Sequence, residues 1–102
     1  MVEENFEECV IKKSYEKPIL VDFWATWCAP CKNLGIILED VAKTETRLTI
    51  VKIDVDICYN LASQYNIQSV PNVKLFKNGS VVAEFSGLKN KKELMNWLDL
   101  NV

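Results

Sequence analysis

Four cysteines, Cys9, Cys28, Cys31 and Cys58, stand in a chain that contains no histidine. Without imidazole, Ser-His-Asp and Cys-His catalysis are excluded, as is any zinc site that needs it. Chemistry then falls to cysteine, lysine or carboxylate. Cys28 and Cys31 are separated by two residues, in Trp27-Cys28-Ala29-Pro30-Cys31-Lys32. The pair falls where an apolar, strand-like run gives way to a helical pattern. A helix N-terminus offers unpaired N–H groups and about half a unit of positive charge. Both favour thiolate over thiol, so a cysteine there titrates below the free value of about 8.5. The spacing brings the two sulfurs within bonding reach across one turn. Cys28 falls at the exposed end, as the attacking nucleophile. Cys31 lies one turn further in, as the resolving thiol. Pro30 suits a first turn, which needs no N–H from it. One Cys-x-x-Cys cannot fill a four-sulfur metal site, and neither Cys9 nor Cys58 has a paired spacing. No metal and no bound cofactor are expected; the redox group is a Cys28–Cys31 disulfide.

Asp22 is the second chemical residue, because it interrupts the apolar run Ile19 to Ala25. Burying a carboxylate costs several kcal/mol unless it is paired or protonated. Desolvation should raise its pKa toward neutrality. Such a group can take the proton of Cys31, directly or through water, as Cys31 attacks. Lys52, in a neighbouring apolar strand, is its candidate partner. A solvated strand end or an internal ion pair is the plain alternative.

The elements that must hold these residues follow from periodicity. Val2, Phe6, Cys9 and Val10 mark one face of an opening helix with an acidic first turn. Ile19 to Ala25 reads as a strand covered on both faces. Leu34, Ile37, Leu38 and Val41 give a second helix, reaching to about Thr44. Leu48 to Val55 is another interior strand, and a short helix covers Ile57 to Tyr65. Asn72 to Lys77 and Ser80 to Phe85 are strands joined by Asn78-Gly79, a strong hairpin signal. Asn90 and Glu93 resemble a capping box ahead of a last helix with Leu94, Trp97 and Leu98 on its inner face. The order αβαβαββα implies a single α/β domain over residues 1–102, with a mixed sheet of about four strands between four helices.

Composition agrees: 49% of the 102 residues are hydrophobic and 25% charged, as in an ordinary globular domain. Twelve Lys and Arg against fourteen Asp and Glu leave a formal charge of −2, with no basic footprint for nucleic acid. The longest apolar run is too short to span a membrane. Glu3, Glu4, Glu7 and Glu8 are the opposite of a secretory leader.

The run Val21-Asp22-Phe23-Trp24-Ala25-Thr26-Trp27-Cys28-Ala29-Pro30-Cys31-Lys32 resembles the active-site segment of the thioredoxins. Val70-Pro71 resembles that family's cis-proline turn, Phe76-Lys77-Asn78-Gly79 its final hairpin, and Ser86-Gly87 its glycine beside the site. The resemblance covers nearly the whole chain, in order. It implies the thioredoxin fold and reduction of protein disulfides by dithiol–disulfide exchange. It also implies recharging by a flavin-containing, NADPH-dependent thioredoxin reductase. Ribonucleotide reductase, peroxiredoxin and methionine sulfoxide reductase are clients of the kind implied. A client-specific reductase, or an accessory binding module with idle thiols, are the competing readings. Trp27, Lys32 and the absence of histidine between the cysteines favour a reductant.

The same resemblance supports Asp22 as proton acceptor with Lys52 beside it. It also makes Val70–Pro71 cis, although only about 5–6% of X-Pro bonds are. Such a turn would expose the backbone of Val70 to a client peptide and lay the Pro71 ring against the sulfurs. Trp27, Ala29, Pro30, Val70, Pro71, Gly87 and Leu88 would form a small apolar docking patch around Cys28. Cys9 and Cys58 fall on helical apolar faces, where burial as inert thiols is expected. Trp24 and Trp97 are expected in the core. Ala29, Ile36 and Asn72 replace the family's usual glycine, proline and threonine. The usual first strand is missing, so the strand Leu48 to Val55 should become a sheet edge.

Overall fold

The computed structural model describes residues 3–102. Four strands form one mixed sheet: β1 (Ile19–Trp24), β2 (Thr49–Asp54), β3 (Asn72–Lys77) and β4 (Ser80–Ser86), in the order β2-β1-β3-β4. β1 and β2 are parallel, with Asp22 beside Lys52. β3 runs antiparallel to both β1 and β4. The helices are α1 (Ala29–Ala42), α2 (Tyr59–Gln64) and α3 (Lys91–Asn101). The hairpin turn takes positive φ at both central residues, 51° at Asn78 and 83° at Gly79. That conformation matches the twist of the strands it joins, and glycine adopts it without a Cβ penalty.

Alternation along β1 sorts the core into two layers. Ile19, Val21 and Phe23 pack with Phe6, Val10, Ile53, Leu61 and Phe76 on the side of α2. Leu20 packs on the opposite side with Leu34, Leu38, Leu75, Leu94 and Leu98, under α1 and α3. Asp22 follows the same alternation and so points into this second, otherwise apolar layer. Truncating any one of these leucines to alanine would cost about 2–5 kcal/mol. The expected capping box opens α3: Glu93 N donates to Asn90 Oδ1 at 2.8 Å, and Asn90 N donates to Glu93 Oε1 at 3.0 Å.

The opening segment departs from expectation. It is not an α-helix: it winds as a π-helix over Glu7–Lys12, between 3₁₀ turns at Glu3–Asn5 and Lys13–Tyr15. Phe6, Val10 and Ser14, spaced four apart, are its buried residues. The wider winding carries Cys9 out of that stripe, and Cys9 is exposed rather than packed. Val2 lies outside the described residues. Cys58 is buried as expected, and burial pushes its thiol pKa up. Trp24 and Trp97 are half-buried, Trp97 packed against the core layer of Leu20 and Leu34 and Trp24 against Ala25, Cys28 and Cys31. Trp97 stands edge-on to Phe85, with ring centroids 4.9 Å apart.

β2 is an edge strand. Beside it lies an open hollow of about 490 Å³ whose lining includes Cys9, Glu16, Ile19, Thr49 and Val51. Among the described residues no strand precedes β1.

Candidate active site

The polypeptide leaves β1 at Trp24, turns through Ala25 to Trp27 and enters α1 at Ala29. Cys28 is the N-cap residue, with extended backbone angles (φ −97°, ψ 108°). Its sulfur takes the part usually played by a serine or aspartate oxygen: Cys31 N donates to Cys28 Sγ at 3.1 Å. Pro30 lies in the first turn, where no intrahelical donor is lost. Cys28 and Cys31 are joined as a disulfide, with α-carbons 5.2 Å apart. Cys28 is 5% exposed and Cys31 fully enclosed. The predicted order holds, but Cys28 offers only a narrow edge to an incoming group.

The walls of the site come from elements far apart in sequence. The Val70–Pro71 peptide bond is cis. The Val70 carbonyl oxygen stands 3.7 Å from Cys28 Sγ, within reach of a thiol hydrogen when that sulfur is reduced. Gly87 N donates to the Pro71 carbonyl at 3.0 Å, tying β4 to this turn. Of the predicted patch, Trp27, Ala29, Pro30 and Leu88 are exposed, while Val70 and Gly87 are half-buried. Pro71 is buried and so adds little surface to the predicted patch.

Asp22 is completely buried. Neither carboxylate oxygen has a hydrogen-bond partner. Desolvation pushes its pKa up to about 6, against a smaller opposing pull from the Lys52 charge. The expected partnership with Lys52 is therefore corrected to one through space. The Lys52 ammonium lies 4.5 Å from the centre of the Trp24 ring. It fills room left by the missing side chain of Gly35, 3.2 Å from where a β-carbon there would stand.

Two features of the site were not legible beforehand. Trp27 Nε1 donates to Asp56 Oδ2 at 2.9 Å, pinning the exposed indole to the turn after β2. Asp56 N in turn donates to Asp54 Oδ1 at 2.9 Å. Two aspartates flanking a valine carry no sequence signal for this, since the bond joins residues 29 positions apart. The other is Asn72, after Pro71: its amide nitrogen donates to Ser86 Oγ at 3.3 Å, and its buried Oδ1 has no partner.

A sulfur at a helix N-cap is bonded to a second sulfur one turn below, and a buried carboxylate of raised pKa lies in the adjoining strand. The family model for Thioredoxin matches residues 1–100. The chain belongs to the thioredoxin family. It is 39% identical to a thioredoxin of Rickettsia bellii, over all of this chain and 96% of that protein. It is 41% identical to thioredoxin C-2 of Corynebacterium nephridii, covering 98% and 92% of the two chains. With a thioredoxin of Mycobacterium tuberculosis it shares 44% identity, over 83% of this chain and 74% of the other. Membership in the thioredoxin family and the bonded Cys28–Cys31 pair make this chain a protein thiol–disulfide oxidoreductase. No helix among its described residues is long and apolar enough to cross a membrane.

Proposed function

We propose that this thioredoxin reduces disulfides of client proteins in the cytoplasm, with Cys28 attacking and Cys31 resolving. The Cys28 thiolate attacks one sulfur of the client disulfide. The Cys28–client S–S bond forms, and the client's other sulfur leaves as a thiolate and takes a proton. Cys31, deprotonated toward Asp22 directly or through water, then attacks Cys28 Sγ. The Cys28–Cys31 disulfide forms and the second client thiolate departs. Two electrons pass to the client, and an NADPH-dependent thioredoxin reductase returns them.

The observation that carries this reading is the Cys31 N–H donated to Cys28 Sγ at 3.1 Å. A backbone donor at a helix N-terminus stabilises negative charge on the sulfur it meets, in the thiolate nucleophile and in the leaving thiolate alike. Trp27, Ala29, Pro30, Val70, Gly87 and Leu88 receive the client, and the Val70 backbone beside Pro71 pairs with it. Ribonucleotide reductase, peroxiredoxin and methionine sulfoxide reductase are clients of the right kind. The protein acts as a monomer and without a bound cofactor. Insulin reduction coupled to NADPH and thioredoxin reductase tests the reading. Turnover that vanishes in Cys28→Ser is expected. Absence of turnover in the unaltered chain would refute it.

A further inference from the structure

Gly35 is buried in the middle of α1. Among the described residues positive φ is confined to Asn66, Asn78, Gly79 and Gly87, so the backbone at Gly35 asks for no glycine. Glycine also weakens a helix interior relative to alanine. Packing supplies the reason for it. Apart from its own helix, the one described atom that a β-carbon at Gly35 would meet within 4 Å is Lys52 Nζ, at 3.2 Å. The same nitrogen lies 4.5 Å from the centre of the Trp24 ring. Helix α1 and strand β1 together berth one ammonium.

Lys52 and Asp22 are register partners on parallel strands, so their side chains leave the sheet on the same face. What α1, α3 and β3 bring to that face is apolar: Leu34 and Leu38, Leu94 and Leu98, and Val73. Cys31 of α1 carries no charge as a disulfide. The charges there come from β2, as Lys52 and, two residues on, Asp54. We propose that Gly35 is a positioning residue for the resolving step: its missing side chain holds the Lys52 ammonium beside Trp24, within electrostatic reach of Asp22 but short of bonding it. The inference rests on the disulfide-reductase reading above, in which Asp22 takes the Cys31 proton. A methyl group at position 35 closes the berth, and the ammonium must withdraw. It cannot go deeper, because the layer under α1 is apolar and a charge would lose its hydration there. It goes outward, since Lys52 is exposed and lines an open hollow with Asp54, whose carboxylate attracts it. The pull of Lys52 on Asp22 then weakens, and the carboxyl holds its proton more tightly.

Four chains test it: the unaltered protein, Gly35→Ala, Lys52→Met and the double variant. Alanine is the better helix former, so Gly35→Ala keeps the fold. Carbon NMR titration of the Asp22 carboxyl in the oxidised proteins should show a pKa higher by about 0.3–0.5 in Gly35→Ala than in the unaltered chain. With Lys52→Met already present, the same substitution should move it by no more than about 0.1. In stopped-flow kinetics the pH profile for resolving the mixed disulfide should move upward with the Asp22 pKa, and the first attack should not change. No shift in Gly35→Ala, or a downward one, would overturn the inference. An equal shift with and without Lys52 would also overturn it, because alanine would then act through burial alone. A resolution profile that fails to follow Asp22 would remove Gly35 from the resolving step. A chain that titrates as expected yet never reduces insulin with NADPH and thioredoxin reductase would overturn the reductase reading, and with it the role in resolution, while the four-way titration would still place the ammonium.

Discussion

Asp22 and Lys52 are register partners on parallel strands, yet no hydrogen bond joins them. The Lys52 ammonium settles instead against Trp24, in the space left by Gly35. The aspartate is left buried with both oxygens unpartnered, which costs stability and keeps a proton acceptor poised near neutral pH. Lys52 offsets part of that cost through space. Lys52→Met should raise the Asp22 pKa further above about 6, as read by carbon NMR titration of the carboxyl. A pKa that stays put or falls would remove Lys52 from the site.

Stability should depend on Asp22 with a definite sign. Its folded pKa of about 6 stands above its unfolded value near 3.8, so the folded state holds the proton more tightly. The contribution of Asp22 to stability is thus greatest at acid pH and declines as pH rises between those values. The full decline corresponds to ~3 kcal/mol. Asp22→Ala should therefore stabilise the protein by about 2–3 kcal/mol near pH 8 and by little or nothing near pH 3. Urea unfolding at the two pH values checks this. An equal effect at both would mean that the carboxylate is not the cause.

The same substitution should separate the two chemical steps. Cys28 attacks first and needs no proton acceptor at Asp22, whereas Cys31 attacks second and does. Asp22→Ala should slow resolution of the mixed disulfide by up to ~10²-fold, the lower end for a general base that water can replace. The first attack should change little. Stopped-flow kinetics that show both steps equally slowed would assign Asp22 another role.

Thiol labelling should follow the exposure that the fold imposes. In the oxidised chain Cys9 should be alkylated readily and Cys58 only on unfolding, since Cys9 is exposed and Cys58 is buried with a raised pKa. After reduction Cys28 should overtake Cys9, because a helix N-cap favours its thiolate. Mass spectrometry of timed alkylation reads the order. Cys58 labelled before Cys9 would contradict the packing.

Cys31→Ser should arrest the reaction at the mixed disulfide, because no second thiolate is then at hand to release the client. Adducts through Cys28 should accumulate with disulfide-bearing proteins and disappear on adding dithiothreitol. A Cys28 that alkylates quickly yet forms no such adducts would count against the two-step route.

Much of the fold was legible from local signals, each with its own physical cause. The apolar run Ile19 to Ala25 and the β-rich segment Leu48 to Val55 became β1 and β2. Asn78-Gly79 made its hairpin because both residues accept positive φ. The Asn90 and Glu93 capping box formed because it satisfies backbone donors within a single turn. The sulfur pair was legible for the same reason, since four consecutive residues at a strand–helix junction bring the sulfurs together.

What the chain alone determined, then, is which segments pair or wind and that Cys28 and Cys31 share a helix N-terminus. These depend on spacings of two to four residues. Only the tertiary structure decided that the π-wound opening segment turns Cys9 outward and that Lys52 lies over Trp24 rather than bonding Asp22. It alone decided that Asp56 holds Trp27. Each of these follows from the packing of one element on another, and the free energy of such contacts depends on the neighbours that burial supplies, which periodicity along the chain does not encode.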